Sequence, residues 1–220
     1  MNKLLYYIYK QVTRWFSFVF PGSARYWEKR YSKGKNSGAG SYGKLAAFKA
    51  EVLNQFVKEN NIQSVIEFGC GDGYQLSLFE FPHYTGLDIS ERAIEICRNK
   101  FINDQTKRFY KYPSNRQVSY NADLALSLDV IYHLVEDEVF EKYVNDLFLS
   151  AQKYVIIYSS NFDGKQYFHE RDRCFTRWID KNISGWNFVK KIKNKYPYNE
   201  INQNETSKAD FYIYMKTHKE

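Results

Sequence analysis

Cysteine and proline are both scarce: 220 residues hold three Cys and four Pro. Cys70, Cys97 and Cys174 are odd in number and nowhere spaced C-x-x-C, which argues against a disulfide framework or a thiolate zinc site and suits a reducing, cytoplasmic setting. No Gly-Lys-Ser/Thr ends a glycine-rich turn, so a P-loop is excluded. A long apolar run is missing too. The start, MNKLLYYIYKQVTRWFSFVF, is interrupted by Lys10 and Arg14 and followed by no small-residue cleavage site, so it is read as neither a membrane span nor a leader. There is no internal repeat, no low-complexity segment and no linker that would separate two domains.

What the chain has in quantity is aromatic: 20 Tyr and 17 Phe, within a hydrophobic share of 44% that places it among globular proteins. A net charge of +7 favours anionic partners, although such a balance is often only a solvated basic surface. Leu4, Leu5, Ile8, Val12, Phe16 and Val19 stand near helical spacing with Lys3, Lys10 and Arg14 among them. This amphipathic segment suits packing on the domain or on a second subunit in a homodimer, and less well weak contact with a membrane surface.

Further on, ARYWEKRY reads as a short helix, GKNSGAGSYG (34 to 43) as a loop, and Leu45, Phe48, Val52, Phe56 and Val57 as the inner face of a helix ending near Asn60. SVIEF is a buried strand, YQLSLFEF a helix closed by Pro82, HYTGLD a second strand, and Ser90 the N-cap of ERAIEICRNKF. RFYKY is a third strand and LALSLDV a fourth. A helix over 137 to 152 with Val139, Phe140, Tyr143 and Leu147 inward precedes the strand YVIIYSS, and ADFYIYMK alternates like one strand of a hairpin. Strands separated by helical segments predict parallel βαβ units.

Three of the eleven glycines stand at every second position in EFGCGDG, directly after the first strand. A glycine-rich turn there lets backbone N–H groups approach a ligand beside the next helical segment. The dinucleotide fingerprint G-x-G-x-x-G/A is not met, because Tyr74 stands where the third small residue belongs. What remains is G-x-G-x-G preceded by Glu67, with a second acid, Asp88, at the end of the next strand 21 residues on, placed to accept from both hydroxyls of a ribose.

These residues resemble the class I S-adenosylmethionine-dependent methyltransferases: EFGCGDG their first motif, GLDIS their second, and ADLALSLDVIYHL their fourth strand and the turn after it. YWEKRY and SGAGSYGKLAAFKAEVLN are similar to runs in small stand-alone bacterial methyltransferases, some encoded near surface-glycan assembly genes. The resemblance implies an α/β, Rossmann-like doubly wound, mostly parallel sheet with an antiparallel C-terminal strand. It divides the chain into an N-terminal helical and lid segment, 1 to 42, and a methyltransferase domain, 43 to 220. The implied cofactor is S-adenosylmethionine, with S-adenosylhomocysteine as product.

Carried over by position, Glu67 stands near the cofactor's amino group, Gly69, Cys70 and Gly71 form the turn beside its methionine and ribose, Asp88 takes the ribose diol, Ile89 packs on adenine, and Asp129 faces the methionine end. Asp129 would equally serve as a helix N-cap. Tyr42 belongs to the lid. The acid many relatives carry after the third strand is missing from KYPSNRQVSYNAD, which leaves a backbone carbonyl or Asn121 to read the adenine amino group.

For an alcohol acceptor a base is needed, and His suits neutral pH. His133, four residues past Asp129, is the first catalytic candidate and His169, in FHERDR, the second; each has a structural alternative. His83 is in a turn far from the site, and His218 is in the tail. Arg171, Arg173 and Arg177 suit a phosphate or carboxylate on the acceptor, or simply a salt-bridged surface. The acceptor is expected to be a small molecule or saccharide. No N-P-P-Y, D-P-P-Y or Pro-Cys pair is present and basic residues are dispersed, so a nucleic-acid acceptor, RNA above all, is the secondary reading. A noncatalytic cofactor-binding protein is the third. No Asp, Glu and His cluster shows ligand spacing along the chain, so no metal is expected, although Asp129 with distant carboxylates would still form a site.

Overall fold

A computed structural model describes residues 20–113 and 118–217. The amphipathic stretch at the start and His218 lie outside the described residues. Seven strands form one sheet in the order β3-β2-β1-β4-β5-β7-β6: β1 Ser64–Phe68, β2 His83–Asp88, β3 Lys107–Lys111, β4 Ala122–Leu128, β5 Ala151–Ser159, β6 Trp186–Ile192 and β7 Asp210–Lys216. The first five run parallel, β7 is antiparallel to β5, and β6 antiparallel to β7. This is the doubly wound, Rossmann-like α/β fold that the motifs imply.

Alternation along the central strands sorts side chains into two cores. Val65, Leu124, Leu126 and Ile156 pack with Leu53 and Val57 of α2 (Gly43–Glu59) and Ile94 of α3 (Glu91–Lys100). Ile66, Ala125, Val155 and Ile157 pack with Phe140, Tyr143 and Leu147 of α4 (Asp137–Leu149) and Ile179 of α5 (Phe175–Asn182). β4 is buried at every position, which is why LALSL carries no polar alternation. Ser90 caps α3 as expected, accepting from Ala93 N–H at 3.2 Å.

Several elements differ from the sequence-based expectation. In place of a helix through YQLSLFEF there is one 3₁₀ turn, Gln75–Leu78. Phe79 is extended, Phe79 and Phe81 both enter the core, and Pro82 disfavours a helical residue 81. The helix expected to reach residue 152 ends at Leu149, because Ala151 already pairs with Ala122 in the sheet. Val139 points away from the core and lines the cleft. β6 has no counterpart in the reading: WNFVKKI lies on the sheet edge, mostly exposed, and shows no apolar face.

Strand order reverses between β1 and β4, and connections leave their carboxyl ends in opposite directions, so a crevice opens there. Helix α1 (Ser23–Ser32) and the loop after it roof that crevice. No helix among the described residues is long and apolar enough to cross a membrane.

Candidate active site

The glycine turn leaves β1 with Gly69, Gly71 and Gly73 all at positive φ, 85°, 58° and 67°. L side chains avoid that region, so the turn itself requires glycine. It is closely overlaid. A Cβ on Gly69 would stand 2.4 Å from Val130 Cγ2, and one on Gly71 2.4 Å from Ser37 Oγ and 3.1 Å from the Tyr31 hydroxyl.

What holds the roof down is Asp72, within the same turn. Its Oδ2 accepts from the Ser37 N–H at 2.9 Å and from the Tyr42 hydroxyl at 2.6 Å, while its own N–H donates to Ser37 Oγ at 3.0 Å. These bonds keep its carboxyl below the usual range despite burial. Tyr42 stacks on Tyr74 at 4.2 Å and is not in the cleft wall, so in place of the expected cofactor contact it fastens its loop to the glycine turn through Asp72. At its other end the roof is fastened by Ser23, whose N–H and hydroxyl reach the two oxygens of Glu136 at 2.9 and 2.6 Å.

Beneath the roof lies a cleft of about 560 Å³ whose walls include Glu67, Gly69, Cys70, Gly71, Asp88 and Ile89. Asp88 is buried; its Oδ2 accepts from Gly71 N–H at 3.0 Å and its Oδ1 from Ser90 N–H at 2.9 Å, leaving one lone pair on each oxygen for a diol. Burial raises its pKa to about 6, against the two amide bonds. Burial likewise lifts Glu67 to about 7, opposed by the Tyr84 hydroxyl donating to it at 2.5 Å and by the nearby Lys49 charge.

Asp129, closing β4, has φ 58°. It is not a helix cap: its carboxylate pairs with Lys49 Nζ and accepts from the Tyr132 hydroxyl at 3.0 Å, and it still lines the cleft. Lys49 itself is fully buried in α2, with Nζ 5.0 Å from the ring centre of Tyr158.

Beyond Asp129 the cleft is walled by both expected histidines. The His133 and His169 rings stack with centres 5.3 Å apart and planes 9° from parallel. His133 Nδ1 lies 3.1 Å from the His169 carbonyl oxygen, which only accepts, so Nδ1 carries the proton and Nε2 the lone pair. Trp27 meets His133 edge-on at 4.8 Å, Tyr26 stacks on His169 at 4.5 Å, and His169 Nε2 lies 3.5 Å from Glu170 Oε1. Burial drives the His133 pKa down to about 3; His169 is also lowered, by burial and by Arg30, against the pull of Glu170.

Arg171 and Arg173 do not face an acceptor. Both pair with Asp137 and donate to the Val135 carbonyl, and Arg173 also reaches the Leu134 carbonyl at 2.5 Å. Arg177 pairs with Asp163 on the surface. Asn121 precedes β4 at its amino end, the end of the sheet opposite the cleft, so it cannot read the adenine; Tyr112, directly after β3, lines the cleft instead. Asp72, Lys49, Gln75 and Glu170 were missed. Asp72 stood in the quoted glycine motif and Glu170 in FHERDR beside His169, each without an assigned role; Lys49 and Gln75 had no local signal.

The cleft suits a nucleoside cofactor bearing an ammonium. Two buried carboxylates with spare lone pairs flank the glycine turn, and Gln75, also in the wall, has a buried Oε1 without a partner among the described residues. A Rossmann-like sheet with this turn and these acids fits the class of nucleoside-cofactor-binding α/β proteins.

The family described as Methyltransferase domain matches residues 39–178, more than half of the chain, and the chain belongs to it. Its methyl donor is S-adenosylmethionine. No curated protein matches it. Among solved structures it is similar to the N-methyltransferase NodS from Bradyrhizobium japonicum with S-adenosyl-L-homocysteine (11% identity, 90% of this chain, 100% of that chain, TM-score 0.66). It is also similar to the methyltransferase domain of bacterial CtHen1 (19% identity, 77% and 97%, TM-score 0.60). A third is magnesium protoporphyrin IX methyltransferase from Synechocystis PCC 6803 with bound SAH (13% identity, 77% and 82%, TM-score 0.58).

Proposed function

We propose that the chain moves the methyl group of S-adenosylmethionine to a hydroxyl oxygen of a small molecule or saccharide, with residues 20 to 42 as the lid. The observation that carries this reading is the meeting of His133, His169 and Glu170 at the end of the cleft beyond Asp129. A hydroxyl, unlike a free amine, must lose a proton in the reaction, and a cluster of nitrogen and carboxylate lone pairs is what that requires. The cofactor supplies a methyl carbon on a sulfonium sulfur, and the acceptor oxygen bonds to that carbon as the carbon–sulfur electron pair returns to sulfur.

The chain's own part is to hold and exclude. Asp88, Gln75 and Glu67 orient the donor, Asp129 is fixed by Lys49 and Tyr132 beside its methionine end, and the roof keeps bulk water out. The proton of the acceptor passes to the cluster. A roofed cleft of about 560 Å³, shared with the cofactor, supports a small acceptor over a polynucleotide. Arg25 and Arg30 in the wall, and not the three arginines after β5, are the groups that would meet an anionic acceptor.

The experiment is calorimetric titration with S-adenosylmethionine and S-adenosylhomocysteine, then transfer of a labelled methyl group to paired hydroxyl and amine compounds, sugars included. Binding followed by labelling of hydroxyl members supports the reading. Labelling confined to amines overturns the acceptor class, and labelled RNA overturns the small-molecule acceptor.

A further inference from the structure

The three groups at the acceptor end have a more particular arrangement than a proton sink needs. His133, His169 and Glu170 each present one donor atom, and these three atoms lie within 4.8 Å of one another. Ligands on one small divalent ion at bonds of about 2.0–2.1 Å stand roughly 3.3 Å apart, so closing the set needs a movement of about an ångström. His169 Nε2 and Glu170 Oε1 are already 3.5 Å apart, so the adjustment falls on the two imidazoles, whose rings, 9° from parallel, must turn to aim their in-plane lone pairs at one ion.

We infer that His133, His169 and Glu170 form a binding site for one divalent first-row metal ion, with a coordination position open to the acceptor end of the cleft. Two imidazoles and one carboxylate suit Zn²⁺ and its neighbours better than Mg²⁺ or Ca²⁺, which prefer all-oxygen sets.

The surroundings are those of a built site. The His133 Nδ1–H is held by the His169 carbonyl, the usual outer partner of a metal-bound imidazole, and this leaves Nε2 as ligand. The segment carrying the other two ligands is pinned beside the first. Arg171 N–H donates to the Tyr132 carbonyl at 2.7 Å, and Tyr167 N–H donates to the Glu170 carbonyl at 2.8 Å within a tight turn. Trp27 and Tyr26 of α1 pack against the two rings. Arg30, the cation whose charge acts on both rings, donates its Nε to the Asn36 carbonyl at 2.7 Å.

The site stands on its own geometry; only its role rests on the reading of the acceptor as a hydroxyl. There, His133, His169 and Glu170 would hold an ion whose positive charge would lower the pKa of an acceptor hydroxyl placed at the open position, its proton leaving to water in the cleft mouth. A bound ion would take over the part that the metal-free cluster plays as proton acceptor, with the imidazoles as its ligands.

The test uses the full chain freed of metal by a chelator. Zn²⁺ is titrated by calorimetry and Co²⁺ by visible absorption, and S-adenosylhomocysteine titration of each variant reports whether the cofactor cleft is intact. Expected are one ion per chain, a Co²⁺ spectrum distinct from the aqueous ion, at least tenfold weaker Zn²⁺ binding in Glu170→Gln, and loss of binding in the His133→Ala/His169→Ala double variant with homocysteine-product affinity kept. No stoichiometric uptake by wild type, or uptake unchanged in the double variant, overturns the site. Methyl transfer to a hydroxyl undiminished in excess chelator overturns the metal's role while leaving the proposed function standing. Uptake as expected with transfer only to amines overturns that function and leaves the site.

Discussion

Lys49 and Asp129 form an ion pair across 80 residues of sequence, the ammonium entirely buried in α2 and the carboxylate at the left-handed turn that ends β4. The pair ties the helix before the sheet to the floor of the cleft. Replacing Lys49 by Met leaves Asp129 with the Tyr132 hydroxyl as its one side-chain partner among the described residues, and breaking a pair whose ammonium is buried and whose carboxylate borders the cleft costs up to about 3–5 kcal/mol. Urea unfolding of the cofactor-free protein should show that loss, and Lys49→Met/Asp129→Asn should recover part of it.

Asp72 is expected to govern how long the cofactor stays. Asp72→Asn removes the charge from the hydrogen bonds to Ser37 and Tyr42, weakening the roof's attachment by about 1–3 kcal/mol. Stopped-flow release of S-adenosylhomocysteine should speed up roughly tenfold or more, and amide exchange should quicken over residues 34 to 43. An unchanged release rate would show that the roof does not gate the cofactor.

Cofactor affinity should depend on pH in a defined direction. Asp88 with a pKa of about 6 and Glu67 of about 7 must ionise to accept from a ribose diol and attract a cation, so affinity for S-adenosylmethionine should climb from pH 5 to about 7.5 and then level. Glu67→Gln should flatten the upper part of that climb, and Asp88→Ala should abolish binding. For the empty protein the sign reverses. Both carboxyls are raised on folding, so their contribution to stability is complete below their unfolded values and is lost as pH rises through 6 and 7. Calorimetric titrations and urea midpoints over the same pH series check the two trends together.

His133→Ala should lower turnover by about 10²–10⁴-fold with cofactor affinity nearly intact, because the ring sits past Asp129 at the acceptor end. Single-turnover rates beside S-adenosylhomocysteine titration separate the two effects. An unaffected rate would return His133 to packing between Trp27 and Tyr132.

The fold was legible where one physical pattern dominated. SVIEF, HYTGLD and LALSL are buried or nearly so on both faces and read as strands on composition alone, while α2 and α3 show their inner faces at helical spacing. Trp186–Ile192 did not show itself because an edge strand facing solvent has no reason to alternate, and Asn187, Lys190 and Lys191 interrupt it. Gln75–Leu78 looked helical because Leu76, Phe79 and Phe81 are apolar, yet the last two reach the core from extended backbone. In the cleft, the wall residues Glu67, Asp88 and Asp129 were legible because each stands at or within one residue of a strand's carboxyl end, and a strand end is recognisable. Lys49, Glu170 and the role of Asp72 depend on partners 30 to 80 residues away, and no local pattern encodes such a meeting.

The roof fastened to the glycine turn through Ser37 and Tyr42 has a kinetic consequence. With the cofactor against the strand ends and the acceptor beyond Asp129 in the same covered cleft, as proposed, the donor should enter first and the spent donor leave last: S-adenosylhomocysteine should then compete with S-adenosylmethionine, and the methylated acceptor should depart while the roof is still engaged at its Asp72 end.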